Sequence, residues 1–299
     1  MQCFRPIKLR GPDDPNPVPC GKCFACQSNR RSDWHMRIKY EMLHSLYSLT
    51  VTLTYDDEHI PSLIPHYSPS TNYVPGGCDE INDIYDSPPD YYYYPFDIDH
   101  VQRFFKRLRK SYQFRYFGVA EYGGKRGRPH YHIIFFFNQV YDWRKFRLDI
   151  YKQWFYGIQI TIDETNDDCI GYTLKYCIKP YTSIDPNPKV FMSKKPFIGA
   201  GYLTDSTVSY LRYRDEDIVN TVVGEKRLPR IYRDKLYSSP FDEDLRELQK
   251  ANLQFYIEKK RDEDKLKAFE RGMTIKEYDT LRRDAFTARV WRQLKKKSL

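Results

Sequence analysis

The stretch FRYFGVAEYGGKRGRPHYHIIFFF, residues 114–137, contains two runs of large apolar side chains separated by a glycine-rich, basic segment. The runs FRYFGVAEY and PHYHIIFFF have the composition of β-strands, and GGKRGR between them predicts a hairpin turn with a basic tip. The second strand begins with two histidines, His130 and His132. Histidine is a poor filler of a protein core, so this pair needs a separate reason.

Strand geometry suggests that reason. Residues i and i+2 of a strand point to the same face, so His130 and His132 share one face of the predicted sheet. A hairpin register with Glu121 opposite His130 adds a carboxylate to that face. Two imidazoles and a carboxylate suit Mn²⁺ or Zn²⁺, or Mg²⁺ when substrate phosphates add oxygens. A simpler interpretation stays open: the histidines are polar residues near a strand end, and Glu121 pairs with Arg126 or Arg128.

The rest of the chain alternates between helical and strand patterns. We predict a helix at 29–47, a strand at 48–57, a helix at 97–112, the hairpin, a helix at 142–156, a strand at 157–163 and a helix at 167–179. In the second helix, the predicted buried stripe is Val101, Phe104, Phe105 and Leu108. This order of elements predicts an antiparallel sheet covered by helices, an α+β fold.

Composition changes along the chain predict three parts. We expect a cysteine-rich segment at 1–28, the α+β domain at 29–223 with a loop insertion at 61–95, and a charged, basic helical extension at 224–299. The insertion is rich in proline, serine, asparagine, aspartate and tyrosine, which favours a loop. In the extension, Thr274 and Glu277 form a capping-box pattern that predicts the start of the last helix.

Charge and composition narrow the class of partner. The chain has 299 residues, 40% of them hydrophobic, so a substantial core is expected. Its formal net charge of +9 favours a polyanionic partner such as nucleic acid or an acidic membrane. No apolar run is long enough to cross a bilayer and no signal peptide is apparent, so we expect no membrane partner and a cytoplasmic location.

The seven cysteines suit a reducing compartment better than a disulfide framework, because their number is odd. Cys20, Cys23 and Cys26 lie three residues apart, and Cys3 could complete a set of four thiolates. Structural zinc and free thiols both remain open, because the spacing lacks the second Cys-x-x-Cys pair of a usual zinc knuckle.

The predicted helix at 167–179 carries a tyrosine pair. Tyr172 and Tyr176 lie four residues apart on one face, and Lys175 and Lys179 border that face. A phenol has a pKa of about 10, and a neighbouring ammonium group or metal ion favours the phenolate. A lysine can also hold a phosphate. Because the chain has 27 tyrosines, core packing beside a solvated lysine face is an alternative explanation.

One reaction uses a metal site, a tyrosine pair and a basic surface together. A tyrosine attacks a DNA phosphodiester, becomes joined to the 5′ phosphate and releases a 3′ hydroxyl, while a metal stabilises the developing charge. A second tyrosine permits a second transfer that rejoins the strand. The phosphotyrosine ester conserves the bond energy, so no external energy source is needed.

Three segments, TVTLTYDDEHIP, YFGVAEYGGKRGRPHYHIIFF and GYTLKYCIKP, resemble in this order the motifs of HUH-superfamily rolling-circle replication initiators. The segments PCGKCFAC and FMSKKPFIGAGYL resemble the initiation proteins of microviruses of the gokushovirus type. The resemblance covers about residues 1 to 205 and implies the ferredoxin-like HUH endonuclease fold. It implies metal ligands at His130, His132 and Glu121, candidate nucleophiles at Tyr172 and Tyr176, and phosphate-binding residues at Lys175 and Lys179.

The expected function is therefore nicking of replicative-form DNA at one origin, with Mg²⁺ or Mn²⁺, in the cytoplasm of a bacterial host. Host helicase and DNA polymerase would extend the free 3′ end, because the chain lacks a phosphate-loop motif. Three alternatives remain open: a plasmid relaxase or transposase with the same chemistry, a non-catalytic zinc-stabilised single-strand-binding protein, and a metal oxygenase barrel. The last does not predict the lysine-bordered tyrosine helix.

Overall fold

The computed structural model describes residues 3–9, 18–66, 91–123, 127–175, 189–214, 218–221, 224–238 and 242–296. The chain divides into two compact units, Met42–Ile198 and a second unit of Met1–Glu41 with Gly199–Leu299. The domain boundaries expected from composition stay a prediction. Among the described residues, no helix is both long enough and apolar enough to cross a membrane.

The elements of the chain are numbered here in sequence order. The helices are α1 (Phe24–Leu43), α2 (Ile98–Leu108), α3 (Trp143–Gln153), α4 (Asp167–Lys175), α5 (Asp205–Arg214), α6 (Arg230–Leu236), α7 (Glu243–Glu270) and α8 (Ile275–Lys296). The strands are β1 (Tyr47–Thr54), β2 (Ile64–His66), β3 (Tyr91–Tyr93), β4 (Arg115–Tyr122), β5 (Pro129–Phe137), β6 (Ile160–Glu164), β7 (Lys189–Met192), β8 (Ile218–Thr221) and β9 (Gly224–Arg227).

A five-stranded sheet in the order β6-β1-β5-β4-β7 forms the centre of the Met42–Ile198 unit. Every neighbouring pair in it is antiparallel, which confirms the predicted α+β class with an antiparallel sheet. The central strand β5 pairs along its whole length with β1 and β4. Glu121 lies opposite His130, so the predicted hairpin register is confirmed.

One face of this sheet packs against α2 and α3. Strands β1 and β5 contribute side chains such as Leu53, Tyr131 and Phe135, which are fully buried. The buried stripe of α2 is the predicted one: Val101, Phe104, Phe105 and Leu108. Trp154, just after α3, is also fully buried and donates a hydrogen bond from Nε1 to the carbonyl oxygen of Thr54 at 2.8 Å.

Three boundaries differ from the sequence predictions. Helix α1 ends at Leu43, not at residue 47, because Tyr47 opens β1 and stacks on Phe137 with ring centroids 4.9 Å apart. The ends of the 61–95 insertion form a short antiparallel ladder of β2 and β3, and its residues 67–90 lie outside the described part. Strand β7 was not predicted, because its four residues carry no clear alternation.

The unit formed by Met1–Glu41 and Gly199–Leu299 contains the helices α5 to α8. Helices α7 and α8 meet at a turn where Gly272 adopts a φ of +64°, a left-handed conformation that favours glycine. Arg261 donates to Asp279 across the two helices at 2.8 Å. The predicted capping box is confirmed: Thr274 and Glu277 bond to each other's backbone N–H groups.

The β4–β7 contact offers a test of the sheet edge. Gly118 pairs with Phe191, and a Cβ atom added at Gly118 would lie 2.3 Å from the Phe191 ring. We expect Gly118→Ala to lower the free energy of unfolding by about 1–3 kcal/mol in urea denaturation, because the ring has to move. In a chain that also carries Phe191→Ala, this cost should largely vanish. An equal cost in both backgrounds would show that the ring is not its source.

Candidate active site

His132 is held on both ring nitrogens. Its side chain lies on the face of β5 opposite the α2–α3 core and is 5% exposed. Nε2 lies 2.6 Å from Oε1 of Glu121, and Nδ1 lies 3.0 Å from Oγ1 of Thr52. A carboxylate only accepts hydrogen bonds, so Nε2 of a neutral ring carries the proton and Nδ1 accepts from the threonine hydroxyl. These contacts fix the ring orientation.

His130 lies on the same face, one pair of residues nearer the hairpin turn. Its Nε2 is next to Gly123: a Cβ atom built there would lie 2.3 Å from it. Gly123 also closes the turn, because its N–H donates to the carbonyl of Arg128 at 2.9 Å. Burial lowers the pKa of His130, and the charge of Glu121 opposes part of that shift. A neutral imidazole, the form that binds metal ions, is therefore favoured at neutral pH.

Arg128 forms an ion pair with Asp57, which follows β1. Glu121 contacts His132 directly. The simpler interpretation, in which Glu121 would serve only a loop arginine, therefore does not describe its contact with His132. Arg126 lies outside the described residues.

Helix α4 brings Tyr172 to this face. Ile170 and Leu174 are fully buried and hold the helix, while Tyr172 is 39% exposed. Its ring centroid lies 5.2 Å from that of His132, edge to face at 84°. Lys175 is in the last described turn of the helix. Tyr176 and Lys179 lie outside the described residues, so their positions relative to the histidines stay predictions.

Two residues of this site were missed from the sequence. Thr52 was interpreted only as part of an alternating strand, although its register places it opposite His132. Gly123 was interpreted only as a turn residue. The signal for Thr52 was the strand alternation TVTLTY, which puts three threonines on one face, but the sequence does not show which of them meets a histidine.

The N-terminal cysteines gather in the other unit. Sγ atoms of Cys3 and Cys23 are 3.8 Å apart, and those of Cys20 and Cys26 are 4.0 Å apart. In the described part of the chain, these four thiols are the one set of three or more possible metal ligands with all ligand atoms within 4.8 Å. The Cys23 N–H lowers the pKa of Cys20 to about 6, and burial raises the pKa of Cys26 to about 12.

Comparison with known proteins agrees with the resemblance seen in the motifs. The family model of the replication-associated protein ORF2 matches residues 90–181, a span that includes β4, β5 and α4. The chain is 30% identical over 234 residues to "Replication-associated protein ORF2" of Spiroplasma virus 4, covering 70% of this chain and 64% of that protein. It is 25% identical over 225 residues to "Replication-associated protein ORF4" of Chlamydia phage 1, covering 66% and 47%.

The chain thus spans less than two thirds of the length of either relative. No solved structure matches it. The resemblance to the gokushovirus type of replication protein is confirmed by these matches.

The contact between Gly123 and His130 can be tested. We expect Gly123→Ala to rotate the His130 ring away, because the new Cβ would overlap Nε2. The ring resonances of His130 in a ¹H–¹³C NMR spectrum should shift clearly, while those of the exposed His59 stay in place. The stability cost should stay below about 1 kcal/mol, since a side-chain end can move. An unshifted His130 resonance would show that the ring does not fill this space.

Proposed function

Because this chain is related to the gokushovirus-type replication-associated proteins, we propose that it nicks phage replicative-form DNA at the replication origin. The nick would free a 3′ hydroxyl for rolling-circle replication, and a later transfer would rejoin the displaced strand. The observation that carries the proposal is the position of the half-exposed Tyr172 phenol beside the His132–Glu121 pair. The proposal includes the HUH endonuclease fold, which the antiparallel sheet with its helices supports.

The proposed reaction is a transesterification. The phenol oxygen of Tyr172 attacks the phosphorus of the scissile phosphodiester and loses its proton. The bond from phosphorus to the 3′ oxygen breaks, and that oxygen takes up a proton to become the free hydroxyl. The 5′ phosphate stays esterified to tyrosine. Tyr176 is the candidate for the second transfer, and Lys175 and Lys179 are the candidates for holding the phosphate.

The residues at this site fit a divalent cation. His130, His132 and Glu121 offer two imidazole nitrogens and carboxylate oxygens, a donor set that suits Mn²⁺, or Mg²⁺ with phosphate oxygens added. A bound Mg²⁺ or Mn²⁺ supplies charge stabilisation at the scissile phosphate. His132 would turn its Nε2 lone pair to the ion in place of the hydrogen bond to Glu121. Thr52 would then accept a hydrogen bond from Nδ1 and keep the ring in place.

The proposed partners follow from the proposed reaction. The substrate would be single-stranded and replicative-form DNA at the origin, bound largely through phosphate contacts because the chain has a net charge of +9. Host helicase and DNA polymerase would act on the free 3′ end, in the cytoplasm of the bacterial host. A plasmid relaxase or a transposase would use the same residues on a different DNA.

The nucleophile is tested by substitution. We expect the chain carrying Tyr172→Phe and Tyr176→Phe to lose the covalent adduct with single-stranded origin DNA and Mn²⁺ by more than about 1,000-fold, because no phenol remains at the site. The adduct is measured as a protease-sensitive band shift on a denaturing gel. Tyr213→Phe, at a tyrosine of α5 that is 90% exposed, is the control and should form the normal amount. Adduct formation by the double variant would refute the assignment.

The role of Thr52 is tested by a matched pair. We expect Thr52→Val to weaken Mn²⁺ binding about 10–100-fold, because the valine cannot hold Nδ1 of His132. Thr50→Val is the control: it lies on the same strand face, but its hydroxyl bonds to Thr165 at 3.0 Å. Titration calorimetry with Mn²⁺ gives both dissociation constants. Equal affinities for the two variants would mean that Thr52 does not orient the ligand.

A further inference from the structure

The four N-terminal thiols have the spacing of a tetrahedral metal centre. We propose that Cys3, Cys20, Cys23 and Cys26 bind one Zn²⁺ as a structural site, separate from the proposed nicking chemistry. Zinc–sulfur bonds of about 2.3 Å at tetrahedral angles place sulfur atoms about 3.8 Å apart. The observed Sγ–Sγ distances of 3.8 Å and 4.0 Å match that spacing and are far longer than a disulfide bond.

The backbone around the thiols is shaped for thiolate ligands. The Cys23 N–H donates to Sγ of Cys20, and the Cys20 N–H donates to Sγ of Cys3, each at 3.3 Å. Such N–H···S bonds orient ligand sulfurs and stabilise their negative charge. The turn between Cys20 and Cys23 uses Gly21 at a φ of +72°, where a residue with a Cβ atom would be strained.

Charge around the site also favours a thiolate centre. Four thiols that bind Zn²⁺ release four protons to solvent, and the centre then has a net charge of −2. Arg30 lies over the Cys20–Cys23 turn: its Nη2 would be 3.6 Å from a Cβ atom at Gly21. Cys26 is in the first turn of α1, where the positive end of the helix dipole also opposes this charge.

The ligands come from two segments that the zinc would join. Ile7 and Val18 exchange two backbone hydrogen bonds of 2.8 Å, and this bridge brings Cys3 to the cysteines before and in α1. Phe4, next to Cys3, contacts Phe286 of α8 with ring centroids 6.0 Å apart. The zinc would therefore fix the N-terminal segment within its own unit. Four protein ligands fill a tetrahedral zinc, so this centre keeps no open position for catalysis.

Metal analysis of the full-length chain tests the proposal. We expect protein purified under reducing conditions to contain one zinc per chain by plasma mass spectrometry, and Cys26→Ser to contain at least about 10-fold less. Cys169→Ser is the matched control, because that thiol lies in α4 beside the Glu164 carbonyl. A chain with His130→Ala and His132→Ala should keep its zinc, which separates this site from the proposed active site.

A second measurement covers the case in which Cys26→Ser does not fold. Removal of zinc from the wild-type chain by a strong chelator should make four more thiols reactive, and replacement with Co²⁺ should give the visible absorption of tetrahedral thiolate ligation. Hydrogen exchange should then rise in residues 3–9 and 18–26 and stay unchanged in β5. Wild-type protein with no zinc, or with iron in its place, would overturn the proposal. So would zinc that is lost from the histidine variant and kept by Cys26→Ser.

Discussion

The register between β4 and β5 is the constraint on which both faces of the central sheet depend. Side chains alternate along a strand, so a slip of one residue would move every apolar side chain of β5 to the other face. Tyr131 and Phe135 would leave the core, and His132 would enter it. Burying a polar group without a partner costs about 2–7 kcal/mol. The packing that stabilises the fold therefore also selects the face on which Glu121 meets His132.

Features with a local cause were predictable from the sequence. The hairpin register follows from the turn and from alternation, and the buried stripe of α2 follows from helical periodicity. Features that depend on distant parts of the chain were not predictable. Strand β7 is defined by pairing with β4, about 70 residues earlier in the sequence. The contacts of Thr52 with His132 and of Gly123 with His130 depend on register and on a side-chain conformation, which composition does not specify.

The two candidate metal sites differ in the way that separates structural from catalytic centres. The cysteine group offers four soft ligands, already at the spacing of a filled tetrahedron. The histidine pair with Glu121 offers three ligands of mixed type, of which two are in direct contact and the third lies beside Gly123. Only the second set leaves positions for substrate oxygens. It also has an exposed phenol next to it, whereas the cysteine group requires no substrate to be complete.

The three threonines on one face of β1 are not equivalent, and the difference bears on how His132 could change partners. Thr50 bonds to Thr165 and Thr54 to the carbonyl of Gln159, whereas Thr52 faces Nδ1 of His132. With Glu121 on Nε2, the neutral ring needs a donor at Nδ1; with a cation on Nε2, it needs an acceptor there. A hydroxyl serves as either. Under the proposed function, Thr52 thus keeps the ring satisfied in both states, so exchange of Glu121 for a cation at Nε2 need not leave a buried nitrogen without a partner.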